Sequence, residues 1–256
     1  MPDALISLAA VDKRFASGTV ALRSATLAVQ AGEFVSLLGP SGCGKSTVLR
    51  LVAGLDTPTT GRVDAPAWRQ PDHADTAFVF QDATLLPWAS VFDNVWLPLR
   101  LAGVPRDQAA ERVHLRLSQM GLDGFAGALP RELSGGMRMR VAIARARVTQ
   151  PRVLLMDEPF AALDEITRQR LNADLLDGWY TDPMAVMFVT HSVFEAVFLS
   201  QRVMVMGARP GRIIDTVVID EPYPRTAAFR GTARYADTCR RLSDALEAAM
   251  ADGAAA

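Results

Sequence analysis

The segment 39–46 constrains the fold of this chain more than any other. It runs Gly-Pro-Ser-Gly-Cys-Gly-Lys-Ser and matches the pattern G-x-x-x-x-G-K-[ST] at every position. A continuous apolar run, Phe34–Leu38, precedes it, as in a strand buried on both faces, and a helical stretch follows from Lys45 to about Gly54. A buried strand, a glycine-rich loop and a helix in this order predict a phosphate-binding loop within an α/β domain.

The residue types of this loop suit phosphate chemistry. Glycines let successive backbone amides point at phosphate oxygens, and the N-terminus of the following helix adds partial positive charge. Lys45 is one of only two lysines among 27 basic residues. Its compact ammonium fits between phosphate oxygens better than a planar guanidinium does, although chance placement is the alternative. Ser46 offers a hydroxyl to Mg²⁺, whereas Cys43 fills a variable position and needs no catalytic role. The predicted phosphate-binding residues are Gly39, Pro40, Ser41, Gly42, Cys43, Gly44, Lys45, Ser46 and Thr47.

A second candidate part of the site is formed by Asp157 and Glu158. The apolar run 153–156 leads directly into these two carboxylates, as expected of a buried strand whose carboxyl end opens into a ligand crevice. We predict that Asp157 reaches Mg²⁺ through water. Because neighbouring side chains alternate along an extended chain, Glu158 is expected to point elsewhere and to deprotonate the attacking water. An ordinary helix-capping pair before Pro159 is the alternative.

Strands alternate with helices along most of the chain, which favours a mostly parallel sheet covered on both faces. The first forty residues predict short antiparallel strands, and a helical pattern from about residue 91 to 150 predicts an inserted subdomain. The predicted strands are 5–11, 20–22, 27–29, 34–38, 76–80, 153–156, 186–189, 203–206 and 213–218, with a helix at 166–179.

Composition excludes several classes of protein. The chain has 27 basic and 28 acidic residues, so its net charge of -1 gives no general attraction to nucleic acid or anionic lipid. No apolar run approaches the ~18 residues that span a bilayer. The apolar stretch 4–11 is followed, not preceded, by basic residues and is predicted to be a strand instead of a secretory signal. Cys43 and Cys239 have no metal-ligand spacing and are expected to be free thiols.

The motif Leu-Ser-Gly-Gly-Met at 133–137 narrows the family. Ser134 is a good N-cap for an arginine-rich helix starting near Met137, and Gly135 and Gly136 leave the amides at its end bare. Together with the phosphate loop, this motif resembles the signature sequence of the ATP-binding-cassette (ABC) ATPases, and the resemblance extends to about Gly211. It implies that Ser134, Gly135 and Gly136 of one protomer close over ATP held by the loop of a second copy, in a homodimer.

The resemblance also implies an architecture. The expected fold class is α/β: a P-loop NTPase with a RecA-like parallel sheet core, an N-terminal antiparallel β subdomain and an inserted helical subdomain. The expected boundaries of this one ATPase domain are 1–83 and 151–220 for the nucleotide-binding core, 84–150 for the helical subdomain and 221–256 for a C-terminal helical tail.

Further positions match the family one by one. Gln81 resembles the glutamine that contacts Mg²⁺ and the attacking water, and residues 162–164 resemble the D-loop that crosses the dimer interface. His191, after the strand 186–189, resembles the switch histidine that hydrogen-bonds the γ-phosphate, whereas His73 and His114 need no role. Phe15 lies where an aromatic ring stacks on adenine, but a core position is the equal alternative.

Two departures from the family pattern point to one branch. Met137 replaces a usual Gln, and Met139 replaces a second. This version, with the segments 159–168 and 190–196, resembles the ATPases that power uptake of nitrate, taurine and alkanesulfonates. The implied cofactors are ATP and Mg²⁺. The implied partners are integral membrane permease subunits and, indirectly, a solute-binding protein, without nucleic acid, at the cytoplasmic face of the inner membrane. The alternatives are a soluble ABC-type ATPase acting on nucleic acid or ribosomes, and an exporter ATPase.

Two other segments carry apolar residues with open interpretations. After Gln81, bulky groups suit either a groove for a permease helix or packing inside the helical subdomain. These groups are Leu85, Leu86, Pro87, Trp88, Val91, Phe92 and Trp96. Near the C-terminus, Tyr235, Leu242, Leu246 and Met250 form a predicted helix face that packs on the core in preference to a second protomer.

Overall fold

The computed structural model describes residues 4–70, 75–208 and 210–254. His73 and the last two alanines therefore lie outside the described residues. The strands are β1 (Ile6–Arg14), β2 (Val20–Val29), β3 (Phe34–Leu38), β4 (Thr60–Asp64), β5 (Thr76–Val79), β6 (Val153–Asp157), β7 (Ala185–Thr190), β8 (Arg202–Gly207) and β9 (Arg212–Val218). The α-helices are α1 (Lys45–Val52), α2 (Pro66–Arg69), α3 (Val91–Leu101), α4 (Arg106–Gln119), α5 (Gly135–Arg147), α6 (Glu165–Thr181), α7 (Val193–Leu199) and α8 (Ala233–Ala254).

A six-stranded sheet forms the centre of the chain, in the order β5-β6-β7-β3-β8-β9. Its first five strands run parallel, and β9 pairs antiparallel with β8. Both β3 and β7 are buried along their whole length, as the continuous apolar runs predicted. The expectation of a mostly parallel α/β sheet is confirmed. Its topology brings the carboxyl ends of β3, β6 and β7 to one edge, where the predicted site residues follow each strand.

Two apolar cores lie on opposite faces of this sheet, because successive side chains of a strand point to opposite sides. On β3, Phe34 and Leu38 pack with the core formed by α3 to α8, whereas Val35 and Leu37 pack with α1 and the N-terminal sheet. Because its side chains alternate between the two faces, strand β3 contributes to both cores and joins them through one sheet.

The N-terminal sheet has three antiparallel strands in the order β2-β1-β4. The two stretches predicted at 20–22 and 27–29 form one continuous strand, because Leu22, Ala25, Leu27 and Val29 bury against a common core. Strand β4 was not predicted, since only Val63 of its five residues is buried and its sequence contains glycine and charge. The antiparallel N-terminal subdomain itself is confirmed.

The expected helical subdomain contains α3, α4 and α5. Serine side chains start two of these helices: Ser90 Oγ accepts from Asp93 N at 3.1 Å, and Ser134 Oγ accepts from Met137 N at 3.3 Å. With Ser134 as N-cap, α5 begins at Gly135, two residues earlier than expected. Among the described residues, no helix is both long and apolar enough to cross a membrane.

The C-terminal helix α8 packs against β8 and α7. Tyr235 and Leu242 are buried and Leu246 is half-buried, so the first turns pack on the core as predicted. Met250 is 54% exposed, which shows that the predicted apolar face is only partly covered within one protomer.

Candidate functional site

A cleft of about 600 Å³ opens at the carboxyl edge of the parallel sheet. The loop after β3, the ends of β5 and β6, and the turn between β1 and β2 form its walls. The lining residues are Phe15, Thr19, Val20, Ala21, Ser41, Gly42, Gly44, Lys45, Ser46, Thr47, Gln81, Asp157 and Glu158. Most residues singled out in the sequence thus meet in one cavity, as expected for the carboxyl ends of parallel strands.

The glycine-rich loop owes its shape to two glycines in the left-handed region, Gly42 at φ 77° and Gly44 at φ 98°. A Cβ atom on Gly44 would lie 2.8 Å from Leu22 Cδ2 and 2.9 Å from Ala21 O. Any side chain at this position would therefore push the loop away from β2. Because Gly44 offers no side-chain cap to α1, the first amides of that helix are left for a ligand.

The loop also holds the lysine in place. Lys45 Nζ donates to Gly39 O at 2.8 Å and to Pro40 O at 3.0 Å, and its side chain is 4% exposed. Gly39, Pro40 and Cys43 do not line the cleft, so they support the loop from behind. Cys43 is buried, and burial raises the pKa of its thiol.

A glycine outside the loop, distant from it in sequence, also supports the loop. Gly211, before β9, donates its N–H to Ala21 O at 3.0 Å and accepts from Arg23 N at 2.9 Å. A Cβ atom on Gly211 would lie 2.0 Å from Cys43 O. The turn between β8 and β9 therefore presses on both β2 and the glycine-rich loop.

Oxygen donors suitable for Mg²⁺ lie at the next strand end. Ser46 Oγ donates to Asp157 Oδ1 at 3.0 Å, and Gln81 lines the same cleft. Burial raises the pKa of the Asp157 carboxyl, and the hydrogen bond from Ser46 opposes that rise. Among the described residues, no three His, Cys, Asp or Glu side chains cluster to hold a metal. Ser46, Asp157 and Gln81 nevertheless fit Mg²⁺, because this ion takes one or two carboxylates and fills its other positions with phosphate oxygens and water.

Glu158 is oriented by its backbone and not by strand alternation. It lies beyond the end of β6, its φ is 47°, and its N–H donates to Val189 O at 3.0 Å. The argument from alternation was therefore wrong, although Asp157 and Glu158 do have different partners. Glu158 Oε1 is 3.5 Å from Lys45 Nζ, and Oε2 is 3.1 Å from His191 Nδ1.

His191 follows the last residue of β7, one strand away from β6. Its contact with Glu158 joins two of the three predicted catalytic residues, and the third, Gln81, lies beyond β5 on the cleft wall. A lysine, a carboxylate and an imidazole within contact distance form a chain of groups that can stabilise negative charge and transfer a proton.

Phe15 lies just after β1 with 37% of its surface exposed, and its ring lines the cleft. The alternative that Phe15 is a core residue is therefore wrong. The neighbouring Thr19, Val20 and Ala21 were missed by sequence reasoning. Because Val20 and Ala21 carry small apolar side chains without a chemical group that binds ligands, no signal in the sequence marks them as cleft residues.

The signature motif lies elsewhere on the molecule. Ser134 and Gly135 are exposed, and neither they nor Gly136 lines the cleft. Gly136 is buried where the start of α5 packs on α6, and a Cβ atom there would lie 2.9 Å from Thr167 Cγ2. The structure therefore separates the two helix starts that the sequence marks for phosphate.

The apolar segment after Gln81 divides into two groups. Val91 and Phe92 are buried in the helical subdomain, and Trp96 Nε1 donates to Val104 O at 3.1 Å. Trp88, by contrast, is 77% exposed. Phe80, which lies just before Gln81 and outside this segment, is also exposed while stacking on Phe78. Packing explains the first group and leaves the second uncovered.

Comparison with known proteins agrees with this geometry. A family model described as ABC transporter matches residues 22–161, a span that includes Lys45, Ser134 and Asp157 but neither Phe15 nor His191. The taurine import ATP-binding protein TauB of Rhizobium johnstonii is 50% identical over 203 residues, which cover 78% of this chain and 76% of that protein. The nitrate import ATP-binding protein NrtD of Synechocystis sp. is 44% identical over 216 residues, which cover 82% and 81%.

A solved structure extends the likeness to the whole fold. The dimeric post-hydrolysis state of the ATP-binding cassette MJ0796, bound to ADP and Pi, has a TM-score of 0.73 and 31% identity, and the match covers 85% of this chain and 100% of that one. The sequence motifs, the cleft and the similarity over most of the chain agree with one another. The chain therefore belongs to the ABC transporter family, in which it is one of the ATPases that power transport.

Proposed function

We propose that this chain is the ATP-hydrolysing subunit of a solute importer, acting on a separate membrane permease from the cytoplasmic face of the inner membrane. The similarity to taurine and nitrate import ATP-binding proteins supports import of small organic or anionic solutes. A solute-binding protein would deliver the solute to the permease. The observation that carries the proposal is the contact of Glu158, which lines the cleft, with both Lys45 and His191.

The charged groups and Mg²⁺ ligands of the site each have a role in hydrolysis. The bare amides of α1 and the Lys45 ammonium bind the β and γ phosphates. Ser46, Asp157 and Gln81 would hold Mg²⁺, which when bound neutralises charge on those phosphates. Glu158 accepts the proton of the attacking water, and Gln81 orients that water. His191 donates a hydrogen bond to the γ-phosphate and, through its contact with Glu158, keeps the base aligned.

Two copies of the chain are needed in this proposal. Ser134, Gly135 and Gly136 lie outside their own cleft, so they act on the nucleotide of a partner in a head-to-tail homodimer. The dimeric cassette with ADP and Pi supports such an arrangement. Hydrolysis then requires dimer closure, which couples turnover to a movement that a permease can follow.

The variant Glu158→Gln tests the catalytic assignment. Because glutamine keeps the size of the side chain and cannot accept the proton, we expect hydrolysis to fall about a hundredfold or more while ATP still binds. The ATP-bound variant should accumulate as a dimer, measured by light scattering with and without ATP. Glu132→Gln is a matched control, since Glu132 is an exposed carboxylate that contacts Leu129 N and lies away from the cleft. Near-normal turnover of Glu158→Gln would contradict the proposal.

Co-purification separates transport from the alternatives. We expect the chain to co-purify with an integral membrane protein from detergent extracts, and Trp88→Ala to weaken this association without changing the Tm or the basal ATPase rate. The 77% exposure of Trp88 makes it dispensable for folding, and a large exposed aromatic group is a typical anchor of an interface. Co-purification with nucleic acid or ribosomes instead would support the soluble alternative.

A further inference from the structure

We propose that Glu195 is a positioning residue for His191, and that Arg168 extends this link to the D-loop at 162–164. The proposal rests on the role assigned to His191 in the proposed function. Glu195 lies in the first turn of α7 and is 7% exposed. It does not line the nucleotide cleft, so any effect on hydrolysis must pass through other residues.

Glu195 binds both neighbours of His191 in the chain. Thr190 Oγ1 donates to Glu195 Oε2 at 2.5 Å and accepts from Ser192 N at 2.9 Å, while Glu195 N donates to Ser192 Oγ at 3.4 Å. These three hydrogen bonds close a ring around the turn that carries His191. The imidazole projects from this turn and contacts Glu158 Oε2 at 3.1 Å.

The other carboxylate oxygen of Glu195 faces a different loop. Glu195 Oε1 is buried, with Arg168 Nε 3.9 Å away, and the buried Asn172 side chain of α6 also donates toward the Glu195 carboxylate. Arg168 in turn donates to Phe160 O at 3.3 Å and to Leu163 O at 2.7 Å. One guanidinium therefore holds the backbone that runs from Glu158 into the D-loop, and two carboxylates contact that guanidinium: the exposed Glu165 and the buried Glu195.

Stability alone does not explain why the Glu195 carboxylate is buried. Desolvation raises the pKa of Glu195, while the hydrogen bond from Thr190 and the charge of Arg168 oppose the rise. A buried ionisable group costs free energy unless it is well paired, and an apolar side chain of similar size often stabilises as much. A group with one tight bond to the turn that carries His191 and one looser contact to Arg168, which holds the D-loop backbone, is better explained as a link between that turn and the D-loop.

Kinetics of Glu195→Ala and Glu195→Gln test the link. For Glu195→Ala we expect kcat to fall about tenfold or more with KM for ATP nearly unchanged, because a small misplacement of a catalytic group is costly while the phosphate loop is untouched. Glu195→Gln keeps an acceptor for Thr190 and should lose less. Glu165→Gln is the matched control, since Glu165 Oε2 contacts Arg168 Nη1 at 3.1 Å but is exposed and does not contact Thr190; its kcat should stay normal.

A double-mutant cycle separates positioning from a general loss of structure. If Glu195 acts through His191, Glu195→Ala should have no further effect in a His191→Ala background, whereas independent effects multiply. Equal losses of kcat in both backgrounds would overturn the proposal, as would a normal kcat for Glu195→Ala and Glu195→Gln alike.

The imidazole NMR signals give a readout that does not depend on turnover. The chain has only three histidines, so the His191 signal can be assigned by comparison with His191→Ala. We expect this signal to shift in both Glu195 variants, more in Glu195→Ala, while the His114 signal stays in place. An unshifted His191 signal would refute the positioning role. A shifted signal, combined with near-normal turnover of Glu158→Gln, would instead refute the proposed function and leave the link standing.

Discussion

The starts of α1 and α5 are two helix N-termini that the sequence marks for phosphate, and the structure builds them in opposite ways. The start of α1 has Gly44 as N-cap, no side-chain cap, and a buried Lys45 beside it in the cleft. The start of α5 is capped by the Ser134 hydroxyl, is exposed, and lies outside that cleft. An uncapped helix start that lines a cleft can bind an anion without help, whereas a capped and exposed start contributes only when another surface brings the anion to it. We call the cleft at the start of α1 the complete site, because it can bind ATP within one protomer. We call the start of α5, with Ser134, Gly135 and Gly136, the half-site.

The largest effect is expected at the complete site. Lys45→Ala removes a buried ammonium that the loop holds toward the phosphates, so ATP affinity should fall by about 3 kcal/mol, roughly a hundredfold in Kd by titration calorimetry. Lys13→Ala is the matched control because Lys13 is also buried and paired, with Asp56 at 2.5 Å, but does not line the cleft. It should lower the Tm and leave Kd within about twofold. Equal losses of affinity in both variants would remove the distinction between the two helix starts.

An intermediate effect, on turnover and dimer formation but not on ATP binding, is expected at the half-site. Ser134→Ala should reduce kcat about tenfold and weaken ATP-dependent dimers, because it removes a donor that meets the γ-phosphate only in the closed pair. ATP binding to the monomer should not change.

The control for this variant must account for the helix cap. Ser90→Ala removes the same kind of cap from α3, where Ser90 Oγ accepts from Asp93 N, so both variants should lose about 1 kcal/mol of stability. Only Ser134→Ala should lose activity. If Ser134→Ala turns over normally as a strict monomer, the half-site interpretation fails.

The smallest effect is expected at the edge of the complete site. Phe15→Ala should weaken ATP binding by about 1 kcal/mol, since stacking of a base on an aromatic ring is worth about that much or more. Phe15→Tyr keeps the ring and should bind ATP as the wild type does. A normal Kd for Phe15→Ala would show that the complete site binds ATP through its phosphates and not through the adenine ring.

Local motifs and strand order account for what the sequence predicted. The loop at 39–46, the pair Asp157 and Glu158, and His191 each follow a buried apolar run, and parallel strands bring their carboxyl ends together. The same residues therefore identified both the sheet and most of the cleft.

The misses also have physical reasons. Strand β4 and helix α2 carry too few buried residues for a periodic pattern, and α7 is a short helix whose last five residues are all buried, without polar alternation. The direction of Glu158 was predicted for the wrong reason because a positive φ cannot be foreseen from alternation. The contact between Arg168 and Glu195 joins two helices and has no local signal.

Gly211 lies outside the sequence motifs, but its close packing makes the glycine-rich loop sensitive to substitution there. The backbone of this residue is wedged between β2 and the carbonyl of Cys43, with no room for a single methyl group. A substitution at this position, which lies far along the chain from every motif, would displace the glycine-rich loop that lines the nucleotide cleft. In a survey of harmful mutations, Gly211, a buried residue bridged to Leu22, would therefore group with the glycines of the phosphate loop.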